Sequence, residues 1–124
     1  MKEKYSSKGL IANIIKSIEE VKGEEVILID MKKIDNSPCD YFIICDGSSN
    51  TQVNAIVSKI KKNVSKLLSE KPLNIEGLEN CKWVLIDYID IVVHVFQKEI
   101  RQYYNIENLW GDAKHTKFVS NLEL

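Results

Sequence analysis

Apolar residues recur at three- and four-residue steps through Leu10, Ile11, Ile14, Ile15, Ile18 and Val21, a spacing that lines one stripe of a helix. Ser6 or Ser7 stands where an N-cap belongs, and Gly23, just past the last apolar position, reads as the stop. The period then changes. Two continuous apolar runs, residues 26–29 and 41–45, are short and β-branched in the manner of buried strands, with the Asn36-Ser37-Pro38 cluster as a loop between them. The turn Gly47-Ser48-Ser49-Asn50 breaks the second run, and Ser49 with Gln52 three positions on matches a capping box. Behind it Val53, Ile56, Val57, Ile60, Val64, Leu67 and Leu68 hold helical spacing for about four turns, until Pro72 ends the helix.

Residues 83–86 and 91–96 form two further apolar runs, joined by Asp87-Tyr88-Ile89-Asp90, which is the length of a tight hairpin connection. With Tyr88 and Ile89 as a two-residue turn, Asp87 pairs with Asp90, Ile86 with Ile91, Leu85 with Val92, Val84 with Val93 and Trp83 with His94. Alternation then separates two faces. One carries Val84, Ile86, Ile91, Val93 and Val95, wholly apolar and suited to packing under helices. The other carries Trp83, Leu85, Asp87, Asp90, Val92, His94 and Phe96, mixing large aromatic and apolar groups with ionisable ones. Residues 98–110 offer Ile100, Tyr103, Tyr104, Ile106, Leu109 and Trp110 to dock a short helix and a turn, and the residues after them show no period. The order of helix, strand, strand, long helix, hairpin and short helix predicts an α/β fold: a single domain with a mixed β-sheet and helices packed on one main face.

Composition narrows the function classes. The chain has 124 residues, 44% hydrophobic, with 5 Gly and 2 Pro, enough for one core burying roughly 65% of the unfolded surface. Seventeen basic residues against 18 acidic ones give a net charge of −1, and a pI near 6.1 excludes a nucleic-acid binder driven by bulk charge. Lys59, Lys62 and Lys66 fall on the outer face of the long helix, a solvated surface for which a peripheral contact to RNA phosphate is the alternative. Lys2, Glu3 and Lys4 precede the first helical pattern without the apolar stretch of a secretory signal. No run approaches the roughly 20 apolar residues of a membrane span. Cys39, Cys45 and Cys81 are odd in number and lack a Cys-x-x-Cys pair, so neither a disulfide framework nor a zinc site is written here. A reduced, cytoplasmic protein without membrane, metal or cofactor is expected.

Catalytic arrangements find little support. The turn at 47–50 could hold a phosphate on free backbone donors, yet it lacks the second Gly and the Lys-Ser/Thr pair of a P-loop. A nucleotidyltransferase would place two close metal-binding carboxylates after such a turn, whereas Asp87 and Asp90 come some 40 residues later around a hairpin. Asp90 and His94, four residues apart on one strand, are separated by about 13 Å. Cys81, diagonal to His94 on the mixed face, has no third group to orient a nucleophile pair. Large aromatic groups rimmed by charge are instead the composition of a protein-binding surface. The other role for that face is a second, minor core beneath the carboxyl-terminal segment.

Three blocks of the chain resemble the ribosomal silencing factors, also called the Iojap family. The first is Asp40-Tyr41-Phe42-Ile43-Ile44-Cys45 with Gly47, Ser49, Asn50, Gln52 and Val53. The second is Glu76-Gly77, then Trp83-Val84-Leu85-Ile86-Asp87-Tyr88 and the stretch from Asp90 to Phe96. The third is Arg101, Tyr104, Glu107, Leu109, Trp110, Asp112 and Ala113. The resemblance implies a domain over residues 1–113, followed by a tail at 114–124, with a fold like a catalytically inactive nucleotidyltransferase. It implies a protein that binds the large ribosomal subunit through its fourteenth protein and sterically blocks joining of the small subunit under nutrient limitation. A phosphate-handling enzyme at residues 47–50 is the alternative. The family's contact surface carries over to Trp83, Asp87, Tyr88, His94 and Phe96, which alternation extends to Leu85, Asp90 and Val92. Arg101, Tyr104 and Glu107 are assigned to holding the carboxyl-terminal segment on the sheet. The aromatic face could also pair with a second copy when free, and His94, with an ordinary pKa near 6.5, could make binding sensitive to pH. The family usually has Gly where this chain has Ile89, a β-branched residue poorly suited to a tight primed turn, so a longer turn would shift the register.

Overall fold

A computed structural model describes residues 7–119. Ser6, the stretch Lys2, Glu3 and Lys4, and residues 120–124 of the expected tail lie outside the described residues. The elements run α1 (Ser7–Glu20), β1 (Glu24–Asp30), β2 (Tyr41–Gly47), α2 (Asn50–Leu68), β3 (Asn74–Glu76), β4 (Trp83–Asp87), β5 (Ile91–Gln97), α3 (Lys98–Tyr104), α4 (Ile106–Leu109) and β6 (Lys114–Phe118). The strands form one sheet in the order β3-β4-β5-β2-β1-β6. Among the described residues only β2 and β5 pair in parallel, with α2, β3 and β4 between them in sequence; the other pairs are antiparallel. The expected mixed sheet with its main helical layer on one face is therefore present.

That layer follows from the two helical stripes. Leu10, Ile14, Ile15 and Ile18 of α1 and Val53, Ile56, Val57, Ile60 and Val64 of α2 bury against Ile43, Val84, Ile86, Ile91, Val93 and Val95 of the sheet. Ser49 caps α2, accepting from the Gln52 N–H at 3.1 Å. Ser7, the second cap candidate for α1, lies inside that helix. At the end of α1 the left-handed residue is Lys22, at φ 63°. Its N–H bonds to the Glu19 carbonyl at 3.0 Å while the Gly23 N–H reaches the Ile18 carbonyl at 2.9 Å, the double closure of a Schellman motif. Gly23 is needed for space: a Cβ there would sit 2.4 Å from Ile18 Cγ2.

The hairpin register differs from the one a two-residue turn predicts. Trp83 pairs with Phe96, Leu85 with His94 and Asp87 with Val92, a slip of two residues that leaves each side chain on its expected face because the strand period is two. The connection closes twice: the Tyr88 N–H bonds to the Ile91 carbonyl at 2.8 Å, and the Asp90 N–H bonds to the Tyr88 carbonyl at 3.0 Å. The second of these is a γ-turn centred on Ile89, which stands at φ 77°. The Asp87 carboxylate steadies it by accepting from the Ile89 N–H at 2.7 Å. Such a conformation costs a β-branched residue about 1–3 kcal/mol, and Ile89 is 64% exposed, so its side chain gives little back. Ile89→Gly is expected to raise stability by about 1 kcal/mol after the added chain entropy of glycine. Urea unfolding would register this as a higher midpoint at unchanged slope, and an unchanged midpoint would refute the strain.

Two strands carry no apolar alternation and were not expected. β3 is three residues long, and β6 pairs antiparallel with β1 from Val26–Phe118 to Asp30–Lys114. Lys114–Phe118, which falls in the expected tail, pairs with β1 at the edge of the sheet. As an edge strand with four of its five residues exposed, β6 needs backbone pairing but no buried face, and its lysines discourage further strand addition.

Candidate functional site

The mixed face forms on the side of the sheet away from α1 and α2, where β4 and β5 present Trp83, Leu85 and Asp87 beside Val92, His94 and Phe96. After β5 the chain turns directly into α3 and α4, which fold back over it. Ile106 joins Val92, Phe96, Phe42, Ile44, Ile27 and Ile29 in a second core, with Ile100, Trp110, Trp83 and Leu85 packed at its margin. Val92, His94 and Phe96 are accordingly buried. The expectation that they meet a partner directly is corrected: the minor core and the open surface coexist, divided along β4. Trp83, Leu85 and Asp87 remain half-buried, and Asp90 lies exposed in the turn. Tyr88 is removed from the face altogether. By alternation it points to the helix side, where its ring is buried in the main core and burial pushes its hydroxyl pKa up to about 12.

Trp83 is the most constrained group of the open part. Its ring stacks on Phe96 at 4.8 Å between centroids and lies 5.1 Å from Tyr104. Its indole Nε1–H donates to His94 Nδ1 at 3.1 Å. An Nδ1 that accepts leaves the imidazole proton on Nε2, which is buried with no hydrogen-bond partner among the described residues. Phe42 packs edge-on against the same imidazole at 4.5 Å. Burial in this apolar setting lowers the His94 pKa to about 4, which keeps the ring neutral across pH 6–8 and argues against its making binding sensitive to pH there. His94 acts from behind, as a positioning residue for Trp83.

An ion network fastens α3 over this core. Asp46, at the buried end of β2, accepts from Lys98 at 2.9 Å and from Arg101 Nη1 at 3.0 Å. Arg101 also donates to the Glu25 carbonyl at 2.7 Å and, through Nε and Nη2, to Glu107 at the start of α4. Arg101 and Glu107 thus hold the segment as expected. Tyr104 does not merely hold it: Tyr104 is 51% and Tyr103 80% exposed, with their rings in edge contact at 4.9 Å. Both belong with Trp83 on the open surface. Their signal in the sequence was two adjacent aromatic residues in a charged stretch, but a helix of seven residues is too short for periodicity to tell its inner from its outer face.

The turn at residues 47–50 is closed by its own cap. Gln52 Oε1 accepts from the Ser48 N–H at 2.7 Å and from the Ser48 hydroxyl at 3.0 Å, and Ser49 Oγ takes the Gln52 N–H. These are donors that a phosphate would need. Cys81, expected beside His94, is buried instead in the helix-side core. Among the described residues no group of three His, Cys, Asp or Glu is placed to hold a metal ion, and no helix is long and apolar enough to cross a membrane.

The chain is similar to known proteins over nearly its full length. Residues 4–123 match the family model described as ribosomal silencing factor during starvation. The ribosomal silencing factor RsfS of Halalkalibacterium halodurans is 43% identical over 108 residues, which is 87% of this chain and 91% of that protein. A crystal structure of a Chromobacterium violaceum protein superposes with a TM-score of 0.82 at 31% identity, covering 96% of this chain and 98% of the other. The mouse protein named mitochondrial assembly of ribosomal large subunit protein 1 is 33% identical over 73 residues, 57% of this chain and 32% of that protein.

Proposed function

The chain belongs to the ribosomal silencing factor family, and from that membership we propose that it binds the large ribosomal subunit through the subunit's fourteenth protein and keeps the small subunit from joining. It does so in the cytoplasm when nutrients are limited, by occupying space, with no bond made or broken. The mouse relative carries the large subunit in its name, which supports that subunit as the partner here. Trp83 is the anchor, Leu85 its apolar neighbour, Tyr104 and Tyr103 its aromatic extension, and Asp87 and Asp90 the polar rim. Val92, His94 and Phe96 form the floor. When free, the same rim could pair with a second copy, for which the subunit would compete.

The observation that carries this reading is the immobilised yet accessible Trp83. An aromatic anchor already held by a stack and a hydrogen bond loses little side-chain freedom on binding, which is where much of the cost of association lies. Trp83→Ala is expected to weaken binding by about 2 kcal/mol, roughly 30-fold in Kd. Co-sedimentation with separated ribosomal subunits on sucrose gradients tests it. The wild type should travel with the large subunit alone, and a folded Trp83→Ala variant that binds equally well would sink the assignment.

A further inference from the structure

Across the sheet from Trp83, α2 and its exit concentrate the molecule's positive charge. Residues 50–72 hold Lys59, Lys61, Lys62, Lys66 and Lys71 against Glu70 alone, a net of +4 that leaves −5 on the rest of the chain. The buried stripe of α2 is Val53, Ile56, Val57, Ile60 and Val64. At about 100° per residue, Lys62 points directly away from that stripe, with Lys61 and Lys66 on either side of it. Ahead of the lysines the outer face carries Thr51, Ala55 and Ser58, and between Lys62 and Lys66 it carries Ser65, all exposed and all short. Lys59 is tied to Glu20 at 3.7 Å, whereas no ion pair among the described residues engages Lys61, Lys62, Lys66 or Lys71. Beyond the ridge, Lys61, Lys62 and Lys71 with Ser58 and Ser65 line an open cleft of about 770 Å³, whose far wall is Glu70 and the segment from Pro72 to Ile75.

We propose that this ridge and cleft hold a phosphate backbone of ribosomal RNA, a second contact that rests on the ribosome-binding function above. The chemistry fits a backbone rather than bases. Lysine ammonium groups are compact point charges that neutralise phosphate without the planar fork that reads a base edge. Among the described residues the face has no aromatic side chain for stacking, and the chain's only arginine, Arg101, is committed to Asp46 and Glu107 on the other side of the sheet. Short residues beside the lysines let a backbone approach closely, and the Ser58 and Ser65 hydroxyls can donate to it. The ridge and Trp83 occupy opposite faces of the sheet, so one flat surface cannot satisfy both. The bound protein would sit in a notch, with a ribosomal protein on one side and RNA on the other.

Fluorescence anisotropy with a short labelled RNA duplex of arbitrary sequence tests the ridge on the isolated protein. For three neutralised phosphates, affinity should fall about 40-fold between ~50 and ~200 mM salt. The variant Lys61→Gln/Lys62→Gln/Lys66→Gln, checked for folding by circular dichroism, should bind at least tenfold more weakly with a flatter salt dependence, while Trp83→Ala binds the duplex as the wild type does. Absence of wild-type affinity at ~50 mM salt, or unchanged affinity in the triple variant, overturns the proposal. So does polyglutamate bound as tightly as the duplex, which would point to an acidic protein. Subunit co-sedimentation is a separate readout: failure there removes the ribosomal function, and the duplex experiment still decides the ridge.

Discussion

Arg101→Leu is expected to destabilise the fold by about 3–5 kcal/mol, the range seen when one partner of a buried ion pair is removed and the other charge stays behind. The Arg101 side chain is 11% exposed and that of Asp46 3%, so Asp46 would keep only Lys98, a half-exposed partner at the margin. The Glu25 carbonyl and Glu107 would lose their donor in the same step. Thermal and urea unfolding of the variant measure the loss, and a change below about 1 kcal/mol would show the network to be dispensable. Adding Asp46→Asn to Arg101→Leu should cost less than the two single changes together, because the most deeply buried charge, that of Asp46, is then no longer left without Arg101. Lys98→Ala, by contrast, removes a largely solvated cation and is expected to cost under about 1 kcal/mol. The consequence reaches the site: α3 carries Tyr104, which flanks Trp83, so loosening α3 should weaken subunit binding in whatever fraction stays folded.

The sequence made one layer of this architecture plain and left the other obscure. α1 and α2 are long enough for 3.6-residue periodicity to declare their buried stripes, and the wholly apolar face of β4 and β5 had to lie beneath them. The alternation of Trp83, Leu85, Val92, His94 and Phe96 was equally legible, and it survives the two-residue slip. What alternation cannot show is what covers a face. α3 and α4 are too short to carry a stripe, and the groups that pin them, Asp46, Arg101 and Glu107, are scattered over some 60 residues of sequence with no local pattern. The turn was illegible for a related reason. A β-branched residue at φ 77° contradicts its own local preference and persists only because Asp87 and the paired strands over-determine it. β6 has no apolar rhythm because an edge strand exposed on both faces requires none.

These unread features are the ones that shape the surface. Had the sheet face remained bare, its apolar and aromatic groups would form one broad adhesive patch. With α3 and α4 in place, Val92, His94 and Phe96 are buried along with the rest of the second core, and the β4 side stays open. A narrow strip with one fixed indole at its centre favours a single docking geometry over indiscriminate association.

His94 gives that strip a measurable signature, with stability expected to fall by about 3 kcal/mol as pH drops from near 6.5 to 4. Burial holds the folded-state pKa at about 4, against an ordinary value of 6.5. The unfolded chain therefore takes up a proton that the native state refuses, and each pKa unit of difference is worth about 1.4 kcal/mol. The sign follows directly. A histidine with a depressed pKa contributes its full stability above 6.5, loses it progressively between the two values, and adds no further change once both states are protonated. Carboxylates titrate over part of the same interval, so the informative quantity is a difference between proteins. His94→Gln retains an acceptor for the Trp83 indole but cannot titrate. Urea unfolding of both proteins from about pH 7.5 to 4 should show the wild type losing about 3 kcal/mol more than the variant, with indole fluorescence reporting the change around Trp83. Parallel curves for the two proteins would mean that His94 is solvated in the native state, and with it would go the fixed geometry of Trp83. Between pH 6 and 8 the imidazole stays neutral, and affinity for the large subunit is expected to be flat.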